Sequence, residues 1–487
     1  MRSPSPTMVL AVLLALAGCT EQRVPTAPEA SQDVVAQPQL ATLASGTAGY
    51  IVFAGGKTLP ANLDAKVRAA GGVITGRADA IGVAFVSSGD PDFAHALKGV
   101  QVVPDALVEA QPTTHAAFTD AIPAGAGDDE PLFPLQWGMR AIHAPEAWDD
   151  GSFGEGVVVA VLDEGFDLSH PDLEYAPGEV SFACWQAPQG LPGPVVLSGP
   201  PYCEDVEYGT GFDFGPGAYG PMGDVFSHAT HVSGIISALD NGIGVIGVAP
   251  KAHVLPVKVL SEYLGVGYTS WILQGILYAA DAGVDVINMS LSGTVDLTSV
   301  PPGLRDDVMR DLIGVYRRAV NYAYQKGVTV VVAAGNQRNA DDNRDKDGDG
   351  HRWIIPAEFE NAITVSATGP YGIYDDPGAD VDRPASYSYI GKSLVDFAAP
   401  GGDFVYPGPN WFYDMVLSTG AQNSWYWSAG TSMAAPHVAG VAALIIAEHG
   451  GAMRPAQVEA EMRHRADDLG KPGRDDFYGL GRISTGH

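Results

Sequence analysis

Short, nearly continuous apolar runs recur from Trp137 onward: Val157–Leu162, Val254–Leu260, Val284–Met289, Val328–Ala334 and Ile363–Ser366. Runs of this length without polar alternation predict strands buried on both faces. Between them, Ser270–Ala282 and Val308–Lys326 read as helices, the second stopped by Gly327. Strands alternating with helices predict a mostly parallel sheet in a three-layer α/β/α domain over residues 135–487. One further run differs in kind. Val438, Ala439, Val441, Ala442, Leu444, Ile445 and Ile446 are apolar on every side of a helix, so that helix is expected inside the core. Its head is the small-residue turn Gly430-Thr431-Ser432, which delivers one hydroxyl to a buried helix N-terminus.

Upstream the pattern is shorter in period. Tyr50–Ala54 reads as a strand, Leu63–Ala70 as a helix closed by Gly71-Gly72, and Val73–Thr75 and Ile81–Val86 as strands. Phe93–Leu97 reads as a helix, and Val100–Val103 with Ala106–Val108 as a last strand. This βαββαβ order predicts a small α+β unit of the ferredoxin-like kind over residues 49–110. Residues 111–134, with Pro112, Pro123, Gly125, Gly127 and Pro131, have loop composition and mark a linker between the two units.

Composition then bounds the classes. With 46% hydrophobic and 17% charged residues over 487 positions, the chain can bury large cores. A net charge of −30 argues against a nucleic-acid partner, because phosphate binding needs a basic surface. Arg2 followed by the apolar run Met8–Gly18 has the shape of an export signal over residues 1–18, too short to span a bilayer. Leu16-Ala17-Gly18-Cys19 resembles the bacterial lipobox, which implies lipidation of Cys19 and a membrane anchor on the precursor; an ordinary signal with a chance Cys is the alternative. Residues 19–48 then read as a polar tether at the cell envelope. Export makes a disulfide between Cys184 and Cys203 the expectation, with two free thiols as the alternative.

Three polar side chains stand where such a sheet places chemistry. Asp163 leaves the carboxyl end of the Val157–Leu162 run, His228 opens a second apolar helix, and Ser432 opens the buried one. Acyl transfer needs these roles: a hydroxyl attacks, an imidazole carries the proton, and a carboxylate orients the imidazole. A plain helix cap is the rival reading of Ser432. The order Asp, His, Ser excludes the α/β-hydrolase and chymotrypsin orders, and Gly430-Thr431-Ser432-Met433-Ala434 lacks the second Gly of G-x-S-x-G.

Gly430 to Pro436, Asp163 and His228 together resemble the motifs of the subtilisin-like serine proteases. The resemblance continues through Asn288–Leu291, Ala333–Asn336, Ile355–Ala357, Ala385–Ser388 and Ala399–Gly401. It implies a serine endopeptidase that needs no cofactor for catalysis and acts on protein or peptide substrates. It assigns Asn336 to the oxyanion hole beside the Ser432 amide, and leaves His231 structural. It also implies that Gly265-Val266-Gly267 pairs with an extended substrate and that Ser290-Leu291-Ser292-Gly293 forms the opposite wall, small residues that leave room for sizeable apolar side chains. Residues 49–110 then resemble the family's propeptide, an intramolecular inhibitor removed by autocleavage between about 110 and 135.

Two positions depart from the commonest pattern. Glu164 places a second carboxylate beside Asp163, where it raises the pKa if unpaired. Ala229 replaces the usual Gly after the histidine, which requires unstrained helical backbone there. Asp345-Lys346-Asp347-Gly348-Asp349-Gly350 repeats the start of an EF-hand loop but has Pro356 at the twelfth position. A structural Ca²⁺ held by Asp345, Asp347 and Asp349 is the expectation, weighed against a solvated acidic loop. From another class, the rival is a catalytically silent binding protein that keeps the fold; an esterase stands further off.

Overall fold

The computed structural model describes residues 42–43, 47–56, 58–109, 113–118, 130–185, 202–207, 226–262, 265–297, 307–336 and 352–486. Cys19 and the Asp345, Asp347 and Asp349 loop lie outside these residues. Among the described residues, no group of three or more His, Cys, Asp or Glu is arranged to hold a metal.

Seven strands form the central sheet, in the spatial order Phe397–Pro400, Ile363–Thr368, Thr329–Ala333, Val286–Met289, Val158–Asp163, His253–Lys258, Val180–Ser181. Every neighbouring pair is parallel. Successive side chains point to opposite faces, so Val159 and Val161 join one core while Ala160 and Leu162 join the other. Helices His228–Ser237 and Thr431–Glu448 cover the first face. Thr269–Ala282 and Val308–Gln325 cover the second. The three-layer α/β/α prediction therefore holds.

Thr431–Glu448 is long and apolar enough to cross a bilayer by composition, yet 89% of its apolar window is buried in the protein. Enclosure on all sides explains why its sequence lacks a polar stripe. Strand order reverses around Val158–Asp163, and a crevice at such a switch point opens beyond the carboxyl ends of the strands.

The amino-terminal unit is an antiparallel sheet in the order Gly72–Ala78, Val83–Ser88, Thr47–Phe53, Gln101–Pro104. Helices Leu63–Ala69 and Phe93–Ala96 complete the ferredoxin-like order. It packs on the second face of the large domain. Arg318 of the Val308–Gln325 helix donates to the carbonyls of Ala54, Gly56 and Ile81 at 2.8–3.2 Å.

Three details differ from the sequence reading. The sheet takes in Thr42–Leu43 and Thr47–Ala48, which composition assigns to the tether. The last strand ends at Pro104, with one more bond from the Asp105 N–H to the Gly49 carbonyl at 3.0 Å, and Leu107–Glu109 is a separate strand. Within the linker, Thr114–Ala117 is also a strand. Both latter strands pair with the large domain.

Cys184–Trp185 pairs antiparallel with Tyr202–Cys203 and sets Cys184 directly opposite Cys203. Directly opposed residues in such a ladder have Cα atoms about 4.5–5.5 Å apart, within disulfide reach.

Candidate active site

Val158–Asp163 ends on a fully buried carboxylate. Asp163 Oδ1 accepts from the Glu164 N–H at 2.8 Å and from His228 Nδ1 at 2.9 Å, while Oδ2 stands 3.0 Å from the same nitrogen. A ring nitrogen facing a carboxylate carries the proton, which leaves Nε2 as the basic atom. His228 is aimed by its helix. Ser227 caps it, accepting from Thr230 N–H at 3.1 Å and donating to the Gly165 carbonyl at 2.7 Å. Ala229 lies inside this regular helix, fully buried, so its methyl meets no left-handed backbone. Burial works against protonation of His228, but the Asp163 charge and hydrogen bond override it, and the imidazole pKa is raised above its ordinary value. His231, one turn on, donates from Nε2 to the Tyr426 carbonyl at 2.9 Å, and burial pushes its pKa down to about 3.

The Ser432 turn is held by neutral latches. Pro436 has no N–H, so the Ser432 carbonyl four residues earlier lacks its helical partner. Ser290 Oγ fills that role at 2.7 Å, and Ser432 Oγ donates back to the Ser290 carbonyl at 3.1 Å. Asn288 Nδ2 donates to Ser290 Oγ at 3.0 Å.

On the other side, Asn336 Oδ1 accepts from the Thr431 N–H at 2.8 Å and the Thr431 hydroxyl at 2.7 Å. The Gly335 N–H donates to the same hydroxyl at 3.0 Å. Gly335 has φ of 115°, and a Cβ there would meet the Tyr389 ring at 2.7 Å. With Oδ1 committed, the Asn336 amide turns Nδ2 toward Gly430. A Cβ on Gly430 would lie 3.1 Å from Asn336 Nδ2 and 3.6 Å from Ser432 N. That space, bounded by two N–H donors beside a hydroxyl, is shaped for an oxyanion.

Both edges of the crevice are occupied by the chain itself. Val266–Tyr268 pairs antiparallel with Leu107–Glu109, which sets Gly267 opposite Val108. Across the crevice a Cβ on Gly293 would stand 3.0 Å from Val108 Cγ1, so the two small-residue walls clasp a valine. Leu291 and Ser292 are fully buried behind that wall. Gly265 donates its N–H to the Ser261 carbonyl at 2.9 Å and turns the chain into the edge strand. Downstream, Thr114–Ala117 pairs antiparallel with Trp425–Ala429, the strand that leads into Gly430. Thr113 Cγ2 would lie 3.0 Å from a Gly430 Cβ, so the chain passes the mouth of the oxyanion space.

Residues 154–481 match the subtilase family model. Subtilisin NAT from Bacillus subtilis subsp. natto is 33% identical over 352 residues, covering 72% of this chain and 70% of that protein. The chain belongs to the subtilase family. Thermitase from Thermoactinomyces vulgaris is likewise 33% identical over 359 residues, 73% of this chain and 97% of that protein. The epidermin leader peptide processing serine protease of Staphylococcus aureus shares the fold with a TM-score of 0.67 at 22% identity, over 90% of this chain and 97% of that one. Fervidolysin of Fervidobacterium pennivorans, a keratinolytic enzyme, has a TM-score of 0.63 at 24% identity over 90% of this chain; the chain spans 60% of its length. The protein is thus a subtilisin-like serine protease.

This subtilase carries a second carboxylate and a buried lysine cluster beside its histidine. Glu164 Oε1 accepts the His228 backbone N–H at 2.9 Å. Burial pushes the Glu164 carboxyl up to about 8; His228 opposes the shift, while Asp163 and Glu262 add to it. On the neighbouring strand, Lys258 pairs in register with Asp163 and is fully buried. Its Nζ lies 3.1 Å from Glu204 Oε2 and 3.3 Å from Glu262 Oε2. Sequence reasoning missed this cluster and the Thr431 latch. A lone lysine in an apolar run was a signal, because a buried charge requires a partner. Thr431 gave none, since its two contacts come from a distant loop.

Proposed function

We propose that the protein is a serine endopeptidase made as a precursor whose own chain fills its cleft until it is cut. Ser432 Oγ attacks the substrate carbonyl and His228 Nε2 takes its proton. Asp163 holds the ring through Nδ1 and stabilises the cation that forms. The Ser432 N–H and Asn336 Nδ2 receive the negative charge on the former carbonyl oxygen. As the intermediate collapses the C–N bond breaks, His228 Nε2 gives its proton to the departing amine, and the acyl-enzyme that remains is hydrolysed by water activated at the same Nε2. In the ground state Ser432 Oγ rests on the Ser290 carbonyl, a contact it gives up when it attacks.

One observation carries the precursor reading: Leu107–Glu109 pairs with the edge strand Val266–Tyr268, and Thr114–Ala117 pairs with Trp425–Ala429, the strand that leads into the Ser432 turn. Strand addition is how an extended peptide binds by its backbone. The bond offered for cleavage therefore falls between Glu109 and Thr114. Asp105 supports the docking by accepting from Ser270 N–H at 2.8 Å and Ser270 Oγ at 2.6 Å at the start of the Thr269–Ala282 helix.

We also read the precursor as exported and lipid-anchored through Cys19, with Cys184 and Cys203 bridged and calcium held by the Asp345–Asp349 loop. Because the anchor lies upstream of the cut, cleavage frees the peptidase domain.

Expression of the wild-type and Ser432→Ala precursors tests the reading. The wild type should release a domain with a new amino terminus between residues 110 and 114 into the medium, label with a fluorophosphonate, and leave the upstream part with membranes. Ser432→Ala should stay full length and unlabelled. Normal processing of that variant without added protease would sink the proposal.

A further inference from the structure

The segment downstream of the offered bond is anchored at one side chain. Thr114–Ala117 runs antiparallel to Trp425–Ala429 through four residue pairs, and Phe118 N–H adds a bond to the Trp425 carbonyl at 2.9 Å. Backbone pairing of this kind binds any extended sequence. Within Thr114–Ala117, His115 is the only large side chain. It stands opposite Ser428, and its ring stacks on Phe226 with centroids 4.1 Å apart and planes 8° from parallel. Tyr426 closes the corner at 6.3 Å and 61°. Phe226 and Tyr426 meet each other at 5.5 Å and 57°.

Both rings are fixed from behind by the large domain. Tyr426 is 3% exposed, and its carbonyl meets His231 Nε2 at 2.9 Å. Phe226 immediately precedes Ser227, whose hydroxyl is tied to the Gly165 carbonyl and to the helix it caps. The corner is thus set by the elements that carry His228 and Ser432, and no part of it comes from the segment that fills it.

We propose that Phe226 and Tyr426 form an aromatic subsite on the leaving-group side of the cleft. The subsite selects protein substrates with an aromatic or imidazole ring at the position His115 takes in this chain. The occupant is a substrate strand bound as Thr114–Ala117 is bound, with its ring flat on Phe226. The inference rests on the peptidase reading of the cleft and deepens it by naming a feature of the substrate.

The test uses the processed wild-type enzyme and fluorogenic peptides carrying the sequence of residues 105–118, with His115 kept or replaced by Phe, Ala or Asp. Stacked ring pairs shift binding or rates by roughly two- to tenfold. The His and Phe peptides should therefore exceed the Ala peptide in kcat/KM by that factor, and the Asp peptide should be poorest. In Phe226→Ala enzyme the His-to-Ala ratio should fall to near one, and Phe226→Tyr should restore it. A ratio within one enzyme cancels any general loss of activity, so a weakened variant still reports. A peptide p-nitroanilide, which has no residues beyond the cut bond, checks the peptidase reading separately. If the wild type fails to hydrolyse it, that reading falls. If the anilide is hydrolysed while the His and Ala peptides are cut equally, or neither is cut, or the ratio persists in Phe226→Ala, the subsite is overturned.

Discussion

The two halves of the site are held by different physics. Ser432, Thr431, Asn336 and Ser290 are tied by neutral hydrogen bonds at 2.7–3.1 Å, most of them to backbone. Asp163 and His228 are tied by charge, with Glu164 accepting the His228 backbone N–H beside them, next to the buried Lys258 cluster on the adjoining strand. Neutral latches hold geometry at any pH. A charged half holds geometry and sets proton affinity together, so it both makes the base and ties activity to pH. The difference has a structural origin: Ser432 sits on a long core helix packed on all sides, whereas His228 opens a helix of 10 residues at the crevice edge.

Breaking the charged half has the largest expected effect. Asp163→Asn should lower kcat by about 10⁴-fold, the scale seen when such an orienting carboxylate becomes an amide. It should also move the pH profile in a defined direction. Asp163 raises the His228 pKa, so neutral, competent imidazole is lost on acidification through a value above the ordinary 6.5. Without the carboxylate the cation loses its stabilisation, and the acid limb of kcat/KM should shift to lower pH. Breaking the neutral half should look different. Asn336→Ala removes one oxyanion donor and should cost about 10²–10³-fold in kcat with little change in the acid limb. A matched shift of the limb in both variants would erase the distinction between the halves.

Much of this arrangement was legible because local pattern and tertiary demand coincide. A strand buried on both faces must be apolar throughout, so Val157–Leu162 and Val328–Ala334 announced the sheet and the loops after it. The buried Thr431–Glu448 helix announced itself for the same reason. Thr114–Ala117 did not. Thr-His-Ala-Ala has no alternation, follows Pro112, and becomes a strand only because Trp425–Ala429 offers an edge more than three hundred residues away. Leu107–Glu109 was visible as a strand but was joined to the wrong sheet, since its partner Val266–Tyr268 belongs to the other domain. The oxyanion space was legible from Asn336, whereas its shape depends on a missing Cβ at Gly430 that only the packing explains.

Glu164 permits the finest comparison, because it combines both kinds of contact in one side chain. Its Oε1 accepts the His228 N–H, a contact that a neutral carboxyl or an amide supplies equally well. Its ionised form is disfavoured: the pKa rises from 4.5 to about 8 through burial and the nearby carboxylates. Between those two values the folded chain holds a proton that the unfolded chain has released. The unfolded state then binds fewer protons, so this group's contribution makes stability fall as pH rises from about 4.5 to about 8 and levels off above that. Glu164→Gln keeps the acceptor and removes the titration. In a Ser432→Ala background, where self-digestion cannot distort the measurement, the Gln variant should match its parent near pH 4.5. It should then gain on it toward pH 8, by on the order of a few degrees in Tm, a modest figure because the side chain is only partly buried. A constant offset across that range would mean that Glu164 acts on His228 by hydrogen bonding alone, and would move it from the charged half of the site to the neutral one.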